Sequence, residues 1–293
     1  MSLFLQQVVG GLTIGAVYAF LALALVFCFR STGVVNFAQG EMAVFSTYLA
    51  WQMHAWGVPF FLAIAGSLGL SLAIGAAVYW ATIRPLANAS HLAVVGVTVG
   101  LFFCFNSLAQ LVWGGLGKDF PQILPGPSWR LGPVVIGRDT ASIFLLLGLT
   151  LVALYVFFEH TRLGLGSRAA AAAPVQSRQA GLPVQRLFLL GWGVAALIGA
   201  LAGVTVAPEL GLSPDMMLLT VIYAFAAATL GGFNSLVGAV VGGLVVGVGE
   251  NLAGTYIPAI GGDLKVSVAL FVILLVLLVR PSGLFGRPEA VRL

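Results

Sequence analysis

Long apolar runs, bounded by charge, proline or glycine, set the pattern of this chain. The run 266–279 reads VSVALFVILLVLLV, with Ser267 as its single polar residue. Such a run has neither the two-residue alternation of a half-exposed strand nor the 3.6-residue stripe of a helix with one wet face. Nine segments of this kind occur, at 8–29, 36–52, 59–83, 92–113, 141–158, 187–207, 216–230, 236–249 and 264–279. A helix needs about 20 apolar residues to cross a bilayer. Backbone that faces lipid has to be helical or part of a closed barrel, because no water is there to satisfy it. Barrel strands would alternate apolar and polar positions over about ten residues, and these runs do not. The first, third, fourth, fifth, sixth and ninth segments are long enough to cross. The second, seventh and eighth are short or glycine-rich, and read as half-helices or re-entrant pieces of the kind that mark the working parts of transporters. The pattern predicts an all-α polytopic integral membrane protein with eight or nine transmembrane helices, some short or interrupted, in one transmembrane domain over residues 1–293.

Composition agrees. Of 293 residues 60% are hydrophobic and 8% charged, against about 25% charged in an average soluble domain. A soluble globule is excluded, and so is disorder, which needs low hydrophobicity and high net charge. Cys28 and Cys104 lie in apolar runs and supply neither a disulfide framework nor a four-ligand metal site. The opening MSLFLQQVV carries no Lys or Arg before its apolar run, so it reads as a first span rather than as a cleavable signal.

Placing the charges sets the orientation. With nine crossings and the N-terminus outside, nine arginines (30, 84, 162, 168, 178, 186, 280, 287 and 292) fall inside, against Lys118, Arg130, Arg138 and Lys265 outside. The positive-inside bias favours this arrangement. Glu209 and Asp215 fall outside, where they do no harm.

Polar chemistry concentrates in a few places. The longest inside loop, about 160–186, follows Glu159 and holds Arg162, Arg168, Arg178 and Arg186 with no acidic residue. Five alanines followed by Pro174 and Gly181 predict short helices, with Pro174 in a first turn and Gly181 just past an end. Two readings are open: a solvated basic loop that enforces topology, or a docking element whose guanidiniums offer forked donors to a partner's carboxylates.

In the stretch 30–41 (RSTGVVNFAQGE) Gly33 ends the first helix. Asn36 is placed as the N-cap of the second, with Gln39 positioned to reach back to the cap's N–H. Glu41 then lies about one turn inside an apolar run, where a carboxylate is costly. It either serves function or is held as structural glue by backbone N–H groups and Arg30. Within the fourth span Asn106 and Gln110 share a face, to line an aqueous path or to bond a neighbouring helix. Glycines 238, 242, 243 and 247 have the small-xxx-small spacing that lets helices approach closely. Glu250 is expected at a solvated helix end. His54, His91 and His160 are scattered at span ends. No P-loop, HExxH, CxxC or GxSxG pattern occurs, and the potassium-filter sequence is not completed after Thr98-Val99-Gly100. The chain by itself therefore has no nucleotide site of that kind.

Residues 11–41 (GLTIGAVYAFLALALVFCFRSTGVVNFAQGE) resemble the opening of the permease subunits of branched-chain amino acid ABC importers, which shows G-x-x-x-G-A-x-Y-A-L and then V-I-N-F-A-H-G-E. The stretch from Thr161 to Gly181-Leu182 is similar to the family's cytoplasmic loop, 231–239 to its G-G-x-G-S-x-x-G-A turn, and 280–286 to its R-P-x-G-L-F-G ending. The blocks occur in family order and the likeness covers nearly the whole chain, most closely the smaller permease of the high-affinity Leu/Ile/Val system. Gln39 stands where the family has His, Asn234 where it has Gly and Val237 where it often has Pro. The loop also lacks the family's acidic residue.

The resemblance implies a permease subunit with no catalytic residues, no metal and no cofactor of its own, with ATP and Mg held by partner subunits. It implies two ATP-binding cassette subunits, a second and different permease chain, an extracytoplasmic substrate-binding protein and the lipid bilayer as partners, and no nucleic acid. The expected location is the cytoplasmic (inner) membrane of a bacterium. The loop's Arg162, Arg168, Pro174, Arg178 and Gly181 would couple to the ATPases, and Asn36, Gln39, Glu41, Asn106 and Gln110 would line the path. Competing readings are the same machine for urea, short amides or another small metabolite, and a stand-alone secondary transporter or facilitator. A membrane enzyme is disfavoured, since no convergent nucleophile–base or metal set can be assembled.

Overall fold

The computed structural model describes residues 2–87, 89–131, 134–260 and 262–286. Arg287 and Arg292, counted among the inside charges, lie outside the described residues. Among these residues eleven α-helices follow one another: α1 (Ser2–Thr32), α2 (Gln39–Ala55), α3 (Phe60–Val78), α4 (His91–Trp113), α5 (Arg138–His160), α6 (Arg162–Ala172), α7 (Pro174–Gln179), α8 (Val184–Leu210), α9 (Leu218–Gly231), α10 (Leu236–Tyr256) and α11 (Val266–Val279). The fold is the all-α polytopic membrane architecture that the apolar runs predict. Among the described residues a two-stranded ribbon lies in the α4–α5 connection. There β1 (Trp129–Leu131) pairs antiparallel with β2 (Val134–Ile136), Trp129 opposite Ile136.

Among the described residues six helical stretches are long and apolar enough to cross a membrane: Leu3–Thr32, Phe60–Leu86, His91–Trp113, Arg138–His160, Val184–Leu210 and Leu236–Tyr256. Two expectations are corrected. The eighth segment, expected to be short, runs on to Tyr256 as a 21-residue helix. Its glycines do not interrupt it, because helical bonding is the only satisfaction its backbone has in apolar surroundings. The ninth, expected to be long, is a helix of only 14 residues, because the chain turns through two short 3₁₀ pieces, Pro258–Ile260 and Gly262–Lys265, before α11 begins. The third helix also changes character at its end. Its last turn, Tyr79–Ile83, widens to π-helix before Arg84–Leu86. Pro85 lacks an N–H and its ring crowds the carbonyl four residues back, so regular α-helix cannot continue through it.

The chain forms two compact units. One contains residues 1–26, 125–151 and 219–293, the other 27–124 and 152–218. In the first, α1 and α10 touch along small residues. A methyl group built on Gly243 would strike the Ala19 backbone, and one on Gly247 the Gly15 backbone. The expected small-xxx-small spacing on α10 therefore meets a second one on α1, at Gly11, Gly15 and Ala19. The tail closes the same unit. Leu284 N–H donates to Leu230 O at 2.8 Å and Phe285 N–H to Gly231 O at 3.1 Å, which satisfies carbonyls that the C-terminus of α9 leaves unpaired. Gly232, at φ +97°, makes room there, because its missing Cβ would lie 2.7 Å from Gly286 N and Ser282 O.

In the second unit α8 is the axis. Gly75 of α3 lies against Trp192, Gly193 and Ala196 of α8, and Gly203 of α8 lies against Ala43 and Thr47 of α2. Ser46 and Ser71 bond each other at 3.0 Å, and Ser71 donates on to Ala196 O at 2.8 Å. Buried hydroxyls thus join α2, α3 and α8 where apolar side chains leave no space.

Replacing Gly247 by Val should destabilise the purified protein by about 1–3 kcal/mol, read as earlier thermal unfolding in detergent. Gly249, exposed two residues on with open space around its Cα, should accept Val with no comparable shift.

Candidate functional site

The site begins where α1 ends. Gly33 takes φ +73°, and the chain runs without helix until Gln39. Asn36 does not cap α2 as expected. Its Oδ1 accepts the Ala38 N–H at 3.0 Å, closing a local turn two residues on. Gln39 does not reach back to the Asn36 backbone either. Its Oε1 accepts from Asn36 Nδ2 at 3.0 Å and its Nε2 donates to Ala195 O of α8 at 2.8 Å. The reason is burial. Both side chains lie in the interior of the unit, Gln39 with no exposed surface, so each polar atom goes to a neighbour that would otherwise be unpaired.

Glu41, third residue of α2, is 1% exposed. Its Oε2 accepts from Asn106 Nδ2 of α4 at 3.1 Å. Its Oε1 is buried with no hydrogen-bond partner. Arg30, named above as a holder of Glu41, instead donates to Glu159 Oε1 at 3.0 Å and lays its guanidinium 4.4 Å over the Phe158 ring. Asn106 Nδ2 also lies 3.2 Å from Pro214 O and 3.3 Å from Asp215 Oδ1. Gln110, one turn along α4, donates to Asn106 Oδ1 at 2.7 Å. The five residues expected to line the path thus fall into two groups: Asn36 with Gln39 against α8, and Glu41 with Asn106 and Gln110 at the crossing of α2 and α4.

Sequence reasoning missed Asp215, set aside as a harmless loop carboxylate, and Tyr48. Asp215 follows a proline in the short non-helical stretch between α8 and α9, and that placement was its only signal. Tyr48 lies two turns beyond Glu41 on the same face of α2. Its ring stacks on Trp113 at 4.9 Å and its hydroxyl is buried without a partner. Phe45, between them, packs edge-on against Phe105 and Trp113.

The loop residues form a separate element. Thr161 caps α6 by accepting the Gly164 N–H at 3.0 Å. Pro174 opens α7 and Gly181, at φ +84°, follows its end, which is the expected punctuation. Ser177 Oγ donates to Ala169 O at 3.0 Å and folds α7 onto α6. Ala170, Val184 and Leu187 bury a small apolar cluster beneath. Arg168 donates to Glu159 Oε1 at 3.0 Å, the same oxygen that Arg30 uses. Arg162 and Arg178 are exposed.

Glu250, expected at a solvated helix end, is 7% exposed. The helix continues six residues past it, and Tyr18 donates to its Oε2 at 2.6 Å while stacking on Tyr223 at 4.5 Å. Burial on a continuing helix is what draws the tyrosine hydroxyl in.

The chain matches, over residues 7–279, the family described as branched-chain amino acid transport system / permease component. It is 31% identical over 300 residues to the high-affinity branched-chain amino acid transport system permease protein BraD of Pseudomonas aeruginosa, covering 98% of this chain and 97% of that protein. It is 30% identical over 302 residues to the corresponding permease protein LivH of Escherichia coli, covering 98% and 96%. Among solved structures, PsaBC from Streptococcus pneumoniae in complex with Fab shares the fold, with a TM-score of 0.52 and 17% identity over 95% of this chain and 92% of that one. A multi-pass helical chain matched almost from end to end in this way belongs to the family of permease components of branched-chain amino acid transport systems.

Proposed function

We propose that the chain is the membrane-spanning permease subunit of an ATP-driven importer that carries branched-chain amino acids across the cytoplasmic membrane of a bacterium. In this reading two ATP-binding cassette subunits bind ATP and Mg and supply the work. A second, different permease completes the path, and an extracytoplasmic binding protein delivers substrate. This chain holds no cofactor and performs no hydrolysis.

The observation that carries the reading is the α6–α7 element. Two short helices, set by Thr161, Pro174 and Gly181 and anchored on the start of α8, present Arg162 and Arg178 to solvent. Arg162 is the first residue of α6. A cation in the first turn of a helix opposes the helix dipole, so its position favours an external carboxylate. Arg168 acts differently: bound to Glu159, it fixes the element to the end of α5, so that force applied to the helices reaches the spans. On the substrate side, the polar groups of Glu41, Asn106 and Gln110 line the path at the α2–α4 crossing, with Asn36 and Gln39 bracing α2 against α8.

A double replacement of Arg162 and Arg178 by Glu should reduce co-purification of the ATPase subunits at least tenfold while leaving the permease in the membrane. Undiminished co-purification would place the docking surface elsewhere. In vesicles holding both permeases and the binding protein, leucine uptake should require the ATPases with ATP. It should survive collapse of the proton gradient, and uptake without ATPases, driven by that gradient, would mark a secondary transporter instead.

A further inference from the structure

The crossing of α2 and α4 has more acceptors than donors. Asn106 Nδ2 carries two N–H groups and faces three oxygens, Glu41 Oε2, Pro214 O and Asp215 Oδ1, at 3.1, 3.2 and 3.3 Å. The donor of Gln110 is spent on Asn106 Oδ1. Glu41 Oε1, on a side chain 1% exposed, has no partner, and the fully buried Tyr48 hydroxyl on the same face of α2 has none either. A buried polar atom without a partner costs about 1–3 kcal/mol, and more when it is charged. Lys118, joined by its backbone to Leu212 just before this segment, does not supply the missing charge: its ammonium sits 4.6 Å over the Trp51 ring.

We infer that this cluster receives a primary ammonium group, the amino end of the transported amino acid. Three N–H donors on one positive centre match Glu41 Oε1, the exposed Asp215 carboxylate and the Pro214 carbonyl, and two carboxylates offset the desolvation of a single cation. The inference rests on the amino-acid permease reading and adds the chemistry by which the path recognises its substrate. Phe45, one turn beyond Glu41 on α2, packs with Phe105 and Trp113, and these rings would give an aliphatic tail an apolar wall.

The test uses the assembled importer in detergent without its binding protein. Cys104 is replaced by Ser, and Ser213→Cys, two residues before Asp215, serves as a reporter of alkylation by a small thiol reagent. Leucine and 3-methylbutylamine, which keeps the ammonium and lacks the carboxylate, should slow alkylation. 4-Methylpentanoate, which lacks the ammonium, and potassium chloride at the same ionic strength should not. Asp215→Asn, at an exposed side chain, and Glu41→Gln should each raise the half-protecting amine concentration about tenfold. Protection by 4-methylpentanoate equal to that by the amine, protection by potassium alone, or amine protection unchanged in Asp215→Asn would overturn the inference. An importer that pumps leucine yet shows no amine-dependent protection loses this site and keeps its proposed function. One that is protected yet moves no branched-chain amino acid keeps the site and loses the function.

Discussion

In a bilayer, burying an apolar side chain against another helix gains little over burying it in lipid, so helices stay together by close backbone contact and by polar groups that have nowhere else to go. Both devices recur through this chain. The α1–α10 pair touches through Gly15, Ala19, Gly243 and Gly247. The α3–α8–α2 group combines Gly75 and Gly203 with the Ser46–Ser71–Ala196 relay. Neither set tolerates added volume, and each fixes its helices at one depth relative to the other.

The same constraint explains where the structure is irregular. Between Thr32 and Gln39 the backbone is not helical, yet Asn36 is 1% exposed. Such a stretch survives because side chains take over the bonding a helix would have supplied. Asn36 binds Ala38 and Gln39, and Gln39 binds α8. The short α2 that results carries its costliest residue, Glu41, in its first turn, where the helix dipole favours negative charge. The tail repeats the solution in another form, with Leu284 and Phe285 donating to the last carbonyls of α9.

The spans were legible because twenty apolar residues leave a mark that no tertiary contact can erase. The Thr161-Pro174-Gly181 punctuation was legible because capping and turn geometry are local. The polar partners were not. Nothing near Glu250 in sequence announces Tyr18, 232 positions earlier, and nothing near Glu41 announces Asn106. The small residues at 243 and 247 signalled close packing without naming the helix they pack on. Asn36 misled for a related reason: its spacing to Gln39 suited a cap, but burial beside α8 offered its neighbour a better acceptor. The helix end expected at 249 moved to 256 because glycine interrupts a helix less readily where its backbone has no water to turn to, and the start expected at 264 moved to 266 because a 3₁₀ piece precedes α11.

Glu159 accepts two guanidiniums on one oxygen, Arg30 from the last turn of α1 and Arg168 from the middle of α6. Three helices therefore meet at a single atom, on side chains 18%, 31% and 35% exposed. Half-wet ion pairs of this kind are individually weak, so the junction is a latch rather than a weld: a pull that traded Arg168 for water would free α6 from Glu159 while Arg30 still tied α1 to the end of α5.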